Sequence, residues 1–225
     1  MKKILSPKDL LSIRLNNIEG VLIDIDDTLY SYKSSHRKSI KSCFKKFDIL
    51  YPNKYNFKQF YSLYRSARTE VTNQLKMNGS CRSRLLAFKM MFESLENSHK
   101  IDAYKNAMDF ENFYWEVLID NIKKDNDVFE FISICHSKSI KICAVSDMQT
   151  MYQIRKLDRM GYRNMTLVTS EEVGVEKPHP DIFSKALTKI NCLASHTIMI
   201  GDNYEKDIIG AQKMGMKAFQ ITLDD

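Results

Sequence analysis

The stretch Gly20-Val21-Leu22-Ile23-Asp24-Ile25-Asp26-Asp27-Thr28-Leu29-Tyr30 joins an apolar run to closely spaced carboxylates and a hydroxyl. It predicts a buried strand, roughly Val21 to Ile25, that stops at a reaction site. Side chains alternate along a strand, so Asp24 and Asp26 are expected on one face while Ile23 and Ile25 turn into the packing. Two like charges about 4 Å apart repel by roughly 4 kcal/mol at an effective dielectric near 20. The pair therefore calls for a shared proton, or for a metal and a basic side chain. Asp-X-Asp also occurs in metal-binding loops, in nucleotide-sugar enzymes and at strand ends whose acids are solvated, so the rest of the chain has to decide.

After this stretch, Thr28 to Ser35 reads as a turn, and from about Lys38 to Lys123 the apolar residues recur with helical spacing. Phe57 to Met77, Arg82 to Leu95 and Tyr104 to Ile122 are the longest such segments. Asn78-Gly79-Ser80 breaks two of them, with Ser80 placed to cap the second. The segment reads as a four-helix insert. From Asp127 on, strands and helices alternate: helix Val128 to Ser137, strand Ile140 to Ser146, helix Thr150 to Met160, strand Met165 to Thr169. The alternation continues through Ile182 to Ile190, His196 to Ile200, Lys206 to Met214 and Lys217 to Ile221. This predicts an α/β fold, an open parallel sheet covered by helices on both faces and interrupted after its first strand.

The 225 residues suffice for one sizeable domain, or for a core carrying a smaller insert. With 44% hydrophobic and 28% charged residues the composition is that of a globular protein. No apolar run reaches the roughly 18 residues that cross a bilayer. Ser6, Pro7, Lys8 and Asp9 interrupt the signal-like start, so secretion is not expected. Cys43, Cys81, Cys135, Cys143 and Cys192 are odd in number and form no Cys-X-X-Cys pair, which points to reduced thiols and a cytoplasmic location. The formal charge is +6, but residues 31–100 hold 15 Lys and Arg against 4 Asp and Glu, leaving the remainder net acidic. A basic segment facing an acidic one suits a metal–carboxylate site that attracts an anion, and most of these lysines read as solvated helix faces.

In open α/β sheets ligands bind at the carboxyl ends of the strands. The first strand supplies Asp24 and Asp26 there, the second Ser146, the loop after the third Lys177, and the fourth Asp202 with Asp207 close behind. The set offers a nucleophile, an acid/base, phosphate ligands and metal ligands. Ser146 precedes a helix, whose N–H groups can face an anion, and Asp147 is expected to cap that helix. In Glu176-Lys177-Pro178-His179-Pro180 the proline after Lys177 favours extended geometry, and Pro180 suits a first helical turn. His179 reads as a helix cap or surface residue. Gly201-Asp202-Asn203-Tyr204-Glu205-Lys206-Asp207 is an oxygen-rich setting suited to Mg2+. Gly210 and Ala211 would let the next helix approach the sheet closely.

Together, Asp24-Ile25-Asp26-Asp27-Thr28, Ser146, Lys177-Pro178 and Gly201-Asp202 to Asp207 resemble the four ordered motifs of the haloacid dehalogenase superfamily. The helical insert resembles the cap of the group containing nucleotide, FMN, sugar-phosphate and N-acylneuraminate phosphatases. Thr169-Ser170-Glu171-Glu172-Val173-Gly174 and Asp207-Ile208-Ile209-Gly210-Ala211 look like that group's small-metabolite phosphatases. The resemblance implies a Rossmann-like parallel-sheet core, residues 1–32 and 124–225, with a four-helix bundle cap, residues 33–123. It implies that Asp24 attacks phosphorus and forms an aspartyl-phosphate, and that Asp26 protonates the leaving oxygen and then activates water. Thr28 would shape the loop and orient Asp26, and Ser146 and Lys177 would hold phosphoryl oxygens. Asp24, the Asp26 main-chain carbonyl and Asp202 would bind Mg2+, with Asp207 supporting it.

The founding dehalogenases use the same aspartate against carbon and lack an acid two residues on, so Asp26 argues for phosphate. A phosphomutase or other phosphotransferase shares the first steps, and a non-catalytic binding protein on the same fold is a further alternative. The expected partner is a small phosphorylated metabolite, with no nucleic acid and no membrane, and the expected state a monomer or homodimer. The cap is expected to set specificity through at least one of Arg65, Arg68, Arg82 and Arg84, arginine being suited to carboxylate or phosphate. Tyr30, Tyr32 and His36 are candidates for the site entrance, and Trp115 is expected to pack between cap helices.

Overall fold

Gly20-Val21-Leu22-Ile23 form strand β1 (Gly20–Ile23), buried at every position. The absence of polar alternation is what a strand covered on both faces requires. The computed structural model describes residues 4–76, 79–96 and 102–223. Its strands β2 (Lys141–Ser146), β3 (Thr166–Thr169), β4 (Thr197–Gly201) and β5 (Lys217–Gln220) join β1 in one sheet ordered β3-β2-β1-β4-β5. All pairings are parallel, and Ile23 lies opposite Ala144 of β2 and Ile200 of β4. The carboxyl ends of the three middle strands therefore come level, which sets the residues after them side by side.

The helices along the chain are α1 (Pro7–Leu10), α2 (Tyr32–Leu50), α3 (Phe57–Gln74), α4 (Arg84–Glu96), α5 (Ala103–Asp120) and α6 (Asn126–Ser137). They are followed by α7 (Thr150–Met160), α8 (Ser170–Val173), α9 (Pro180–Ile190) and α10 (Gly210–Lys213). The chain divides into two units, Met1–Tyr32 with Ile122–Asp225, and Lys33–Asn121. In the first, Leu22, Val145, Val168 and Met199 of the sheet pack with Ile182, Phe183 and Ala186 of α9. Gly210 is required by close packing of a different kind from that expected: a Cβ there would come within 2.8 Å of the Phe183 ring and 3.0 Å of Pro178.

The second unit holds α2 to α5. Phe60, Tyr64, Ala67 and Val71 of α3, and Ala107, Phe110, Tyr114 and Leu118 of α5, are buried at helical spacing. They meet an aromatic core in which the Phe47–Phe60 and Phe92–Phe110 rings lie 5.0 and 4.9 Å apart. Asn56 and Gln59 form a reciprocal capping box at the start of α3. Met77 and Asn78, expected in the α3 end and the break after it, lie outside the described residues. Gly79–Arg82 form a 3-10 turn, and the hydroxyl that caps α4 is that of Ser83, which accepts from Leu86 N at 3.2 Å. Trp115 is fully buried in this unit. No helix among the described residues is long and apolar enough to cross a membrane.

Candidate active site

Asp24 is the first residue beyond β1. Its N–H still donates across the sheet to Ile200 O, at 2.9 Å, and its side chain is buried. Lys177 Nζ donates to Asp24 Oδ1 at 2.6 Å and to Val145 O at 2.9 Å, and lies 2.7 Å from Asp207 Oδ1. The ammonium thus makes two hydrogen bonds and an ion pair with three surrounding oxygens. Burial pushes Asp24 well above the usual carboxylate range; Lys177 opposes this, and Asp207 and Asp202 add to it. For Lys177, burial would lower the pKa, but Asp207, Asp24 and Asp147 hold it above the ordinary lysine range. It is a fixed cation at the strand ends.

Asp26 has other partners. Lys156 Nζ donates to its two oxygens at 2.7 and 2.9 Å, Tyr30 OH to Oδ1 at 2.5 Å, and Gln153 Nε2 to Oδ2 at 3.2 Å. Burial alone would raise Asp26; Lys156 chiefly, then Tyr30 and Gln153, bring it below the usual range. The expectation that Asp24 and Asp26 project from one strand face is corrected. β1 ends at Ile23, the chain turns with Leu29 N bonded to Ile25 O and Asp27 at φ 58, and each acid acquires its own lysine. Gln153 also donates to Ser146 Oγ at 2.5 Å. Because Ser146 accepts there, its own proton is directed elsewhere.

Asp24, Asp202 and Asp207 each offer a carboxylate oxygen, all within 4.8 Å of one another. Asp202 is pushed up to about 6 by burial, then by Asp207 and Asp27. A bound cation would reverse that direction, and an all-oxygen donor set suits Mg2+. Asp207 is held over Gly201, where any Cβ would overlap its carboxylate, and its Oδ2 accepts from Asn203 N at 3.0 Å. It stands in a π-helical turn, Tyr204–Ile209. The carboxylate of Asp26 is outside this cluster and bonded to Lys156. Thr28 is fully buried with Oγ1 unpaired, so no hydrogen bond joins it to Asp26 among the described residues.

Asp147 is not a helix cap. Gln149 occupies the N-cap of α7 without a side-chain bond. Asp147 Oδ1 accepts instead from the Lys177 N–H at 2.7 Å, and its Oδ2 from Lys206 Nζ at 2.7 Å. His179 caps α9, accepting from Asp181 N at 3.3 Å. In the helical unit Arg65 is exposed, with its guanidinium 5.9 Å from the Tyr61 ring. Arg68 Nη1 donates to Cys81 O and Ser83 O at 3.1 and 3.3 Å. Buried Arg84 donates to Arg82 O and lies 5.4 Å from the Tyr114 ring. Arg68 and Arg84 therefore help to build their own unit, a role that spacing does not reveal. His36 Nδ1 is 2.7 Å from Tyr114 OH.

Open α/β sheets bind ligands at the carboxyl ends of their strands, where this chain gathers carboxylates and a lysine, and it is an α/β enzyme of that architecture. A family model for haloacid dehalogenase-like hydrolases matches residues 18–215, and the chain belongs to that family; it is a phosphoric monoester hydrolase. The ribulose-1,5-bisphosphate 5-phosphatase of Halopiger xanaduensis is 27% identical over 200 residues, covering 88% of this chain and 82% of the relative. The glyceraldehyde 3-phosphate phosphatase of Methanopyrus kandleri is 26% identical over 206 residues, covering 91% and 84%. Among solved structures, the 2-haloacid dehalogenase of Pseudomonas syringae pv. tomato aligns with a TM-score of 0.72 at 20% identity, over 90% of this chain and 86% of that one. The HAD-hydrolase YfnB of Bacillus subtilis, bound to magnesium, aligns with a TM-score of 0.66 at 20% identity, over 89% and 87%. At these identities the structural likeness is one of fold.

Proposed function

We propose that the chain hydrolyses a small phosphomonoester, a sugar phosphate in the first instance, through an aspartyl-phosphate on Asp24. The observation that carries this reading is the placement of Lys177 between Asp24 and Asp207, with Asp202 in the same oxygen cluster. The two curated relatives named for sugar-phosphate substrates support the substrate class. Asp24 attacks phosphorus as the bond to the leaving oxygen breaks, and Asp26 delivers a proton to that oxygen. A water then attacks the same phosphorus, giving its proton to Asp26 and releasing phosphate and Asp24.

Ser146 donates to a phosphoryl oxygen with the proton that Gln153 leaves it. Lys177 opposes the effect of burial on Asp24, favouring its anion, and exchanges one of its three contacts for a phosphoryl oxygen. Asp24, Asp202 and the Asp26 carbonyl, with Asp207 in support, would hold Mg2+, which neutralises phosphoryl charge when bound. The ionised Asp26, bonded to Lys156, is in the state of the base; as acid it must leave that lysine carrying a proton. An anionic group elsewhere on the substrate is assigned to Arg65, Arg68, Arg82 or Arg84. A cytoplasmic location fits five cysteines that are all free thiols.

The test is phosphate release from a phosphomonoester panel, with and without Mg2+, by the parent chain, Asp24→Asn and Asp26→Asn. Metal-dependent release that falls on the order of 10^3-fold or more in both variants is expected. Transfer to another hydroxyl without net phosphate would replace the reading by a phosphotransferase, and silence across the panel would remove it.

A further inference from the structure

We propose that Lys206 is a positioning residue for Lys177, acting through the carboxylates of Asp147 and Glu176. The proposal rests on the phosphohydrolase reading and concerns how its cation is held. Lys206 Nζ donates to Asp147 Oδ2 at 2.7 Å and to Glu176 Oε2 at 2.8 Å. Asp147 Oδ1, on the far side of the same carboxylate, accepts from the Lys177 N–H at 2.7 Å. One ammonium thereby ties three strand-end segments. Asp147 directly follows Ser146 at the end of β2, Glu176 and Lys177 precede α9, and Lys206 adjoins Asp207 in the turn after β4. Lys177 is fixed at its tip by Asp24, Asp207 and Val145 O, and at its root by Asp147.

An exposed lysine with two acidic neighbours would be an ordinary surface pair, contributing little. These carboxylates are different: the side chains of Asp147 and Glu176 are only 11% and 5% exposed. Without Lys206 they would be two inward-facing anions beside the loop that carries the reactive cation, and they would separate. Moving that loop moves the Lys177 main chain, and with it the Nζ that must neutralise Asp24 as phosphorus is attacked. Group-transfer catalysis is sensitive to such displacements: a misplacement of about 1 Å can cost on the order of 100-fold. Lys206 touches none of the reacting atoms, so its effect runs through Asp147 and Glu176.

The experiment measures kcat and KM of the full chain, with the preferred phosphomonoester of the panel, for Lys206→Met, Lys206→Arg, Asp147→Asn and the double variant Lys206→Met/Asp147→Asn, together with Tm. Lys206→Met is expected to lower kcat roughly 10- to 100-fold with KM changed less than about threefold. Lys206→Arg, which can still reach both carboxylates, is expected to recover most of that loss. The double variant should be no worse than Lys206→Met alone, because both changes cut one chain of contacts. Asp147→Asn is nearly isosteric and keeps an oxygen for the Lys177 N–H, so it reports on the network even if Lys206→Met does not fold. The proposal is overturned if folded Lys206→Met keeps kcat within about twofold of the parent while only Tm falls, or if the two losses multiply. A parent chain that hydrolyses nothing overturns the functional reading and this inference together; an active parent matched by Lys206→Met overturns this inference alone.

Discussion

Replacing Lys156 by methionine removes a cation whose side chain is fully buried and leaves the carboxylate of Asp26, 27% exposed, facing the gap. Breaking a buried pair by deleting one partner costs about 3–5 kcal/mol. The partial exposure of Asp26 and its remaining bonds to Tyr30 and Gln153 place this case near about 3 kcal/mol. Asp26→Asn removes the carboxylate charge that faces the buried ammonium and should cost a similar amount, whereas the double variant Lys156→Met/Asp26→Asn removes both charges. The two single effects should therefore overshoot the double by about 2 kcal/mol or more. Urea denaturation followed by far-UV circular dichroism measures this, with m-values checked in each variant. Fluorescence alone would not serve, because Trp115, the single tryptophan, lies in the helical unit. Burial would also push Asp26 up once Lys156 is gone, so the acidic limb of the pH–rate profile should move to higher pH. A loss below about 1 kcal/mol, or strict additivity, would refute a buried ion pair as the anchor of Asp26.

Two further expectations test other parts of the structure. Gly201→Ala drives a Cβ into the Asp207 carboxylate, which should cost about 1–3 kcal/mol of stability and raise the Mg2+ concentration needed for half-maximal phosphate release; a melt and a metal titration matching the parent would refute this. His36 lies against Tyr114, Tyr64, Arg84 and Arg68, and burial followed by the two guanidiniums lowers its pKa to about 3. The unfolded chain then takes up this proton before the folded one, so the stability contributed is complete above about pH 6.5 and falls away toward pH 3, by at most about 2 kcal/mol at pH 5. His36→Asn should flatten that slope in denaturant midpoints measured between about pH 7.5 and pH 5, and an unchanged slope would refute the assignment.

What can be read from the sequence is whatever stands one residue past an apolar run. Asp24, Ser146 and Asp202 do so, and the parallel sheet brings those ends level without further information. Lys156 and Gln153 carry no such mark. They occupy interior positions three apart on α7, where helical periodicity assigns polar residues to solvent, yet both are fully buried. Their roles depend on which strand end α7 passes, a tertiary fact. Asp147 misleads for a similar reason: an acid just ahead of a helix is the usual sign of a cap, but α7 starts later and the carboxylate turns to Lys177 and Lys206. Arginine spacing likewise could not show that Arg68 binds the carbonyls of Cys81 and Ser83. The π-helical form of Tyr204–Ile209 has no signal in the pattern of residues 206–214, which reads as an ordinary helix.

β1 leaves the ribosome before either of its neighbours. Gly20 pairs with Lys141 on one side and Thr197 on the other, so the strand waits with both edges open while the helical segment is made. That segment is built largely from contacts between successive helices and can form early, whereas the sheet depends on long-range closure of the kind that folds slowly. A nascent chain therefore carries Asp24 early, without the residues that surround it in the folded protein. Asp24 can meet Lys177 and Asp207 only after residues 24 to 207 have all been made, so its partners and the pairing of β4 with β1 arrive together.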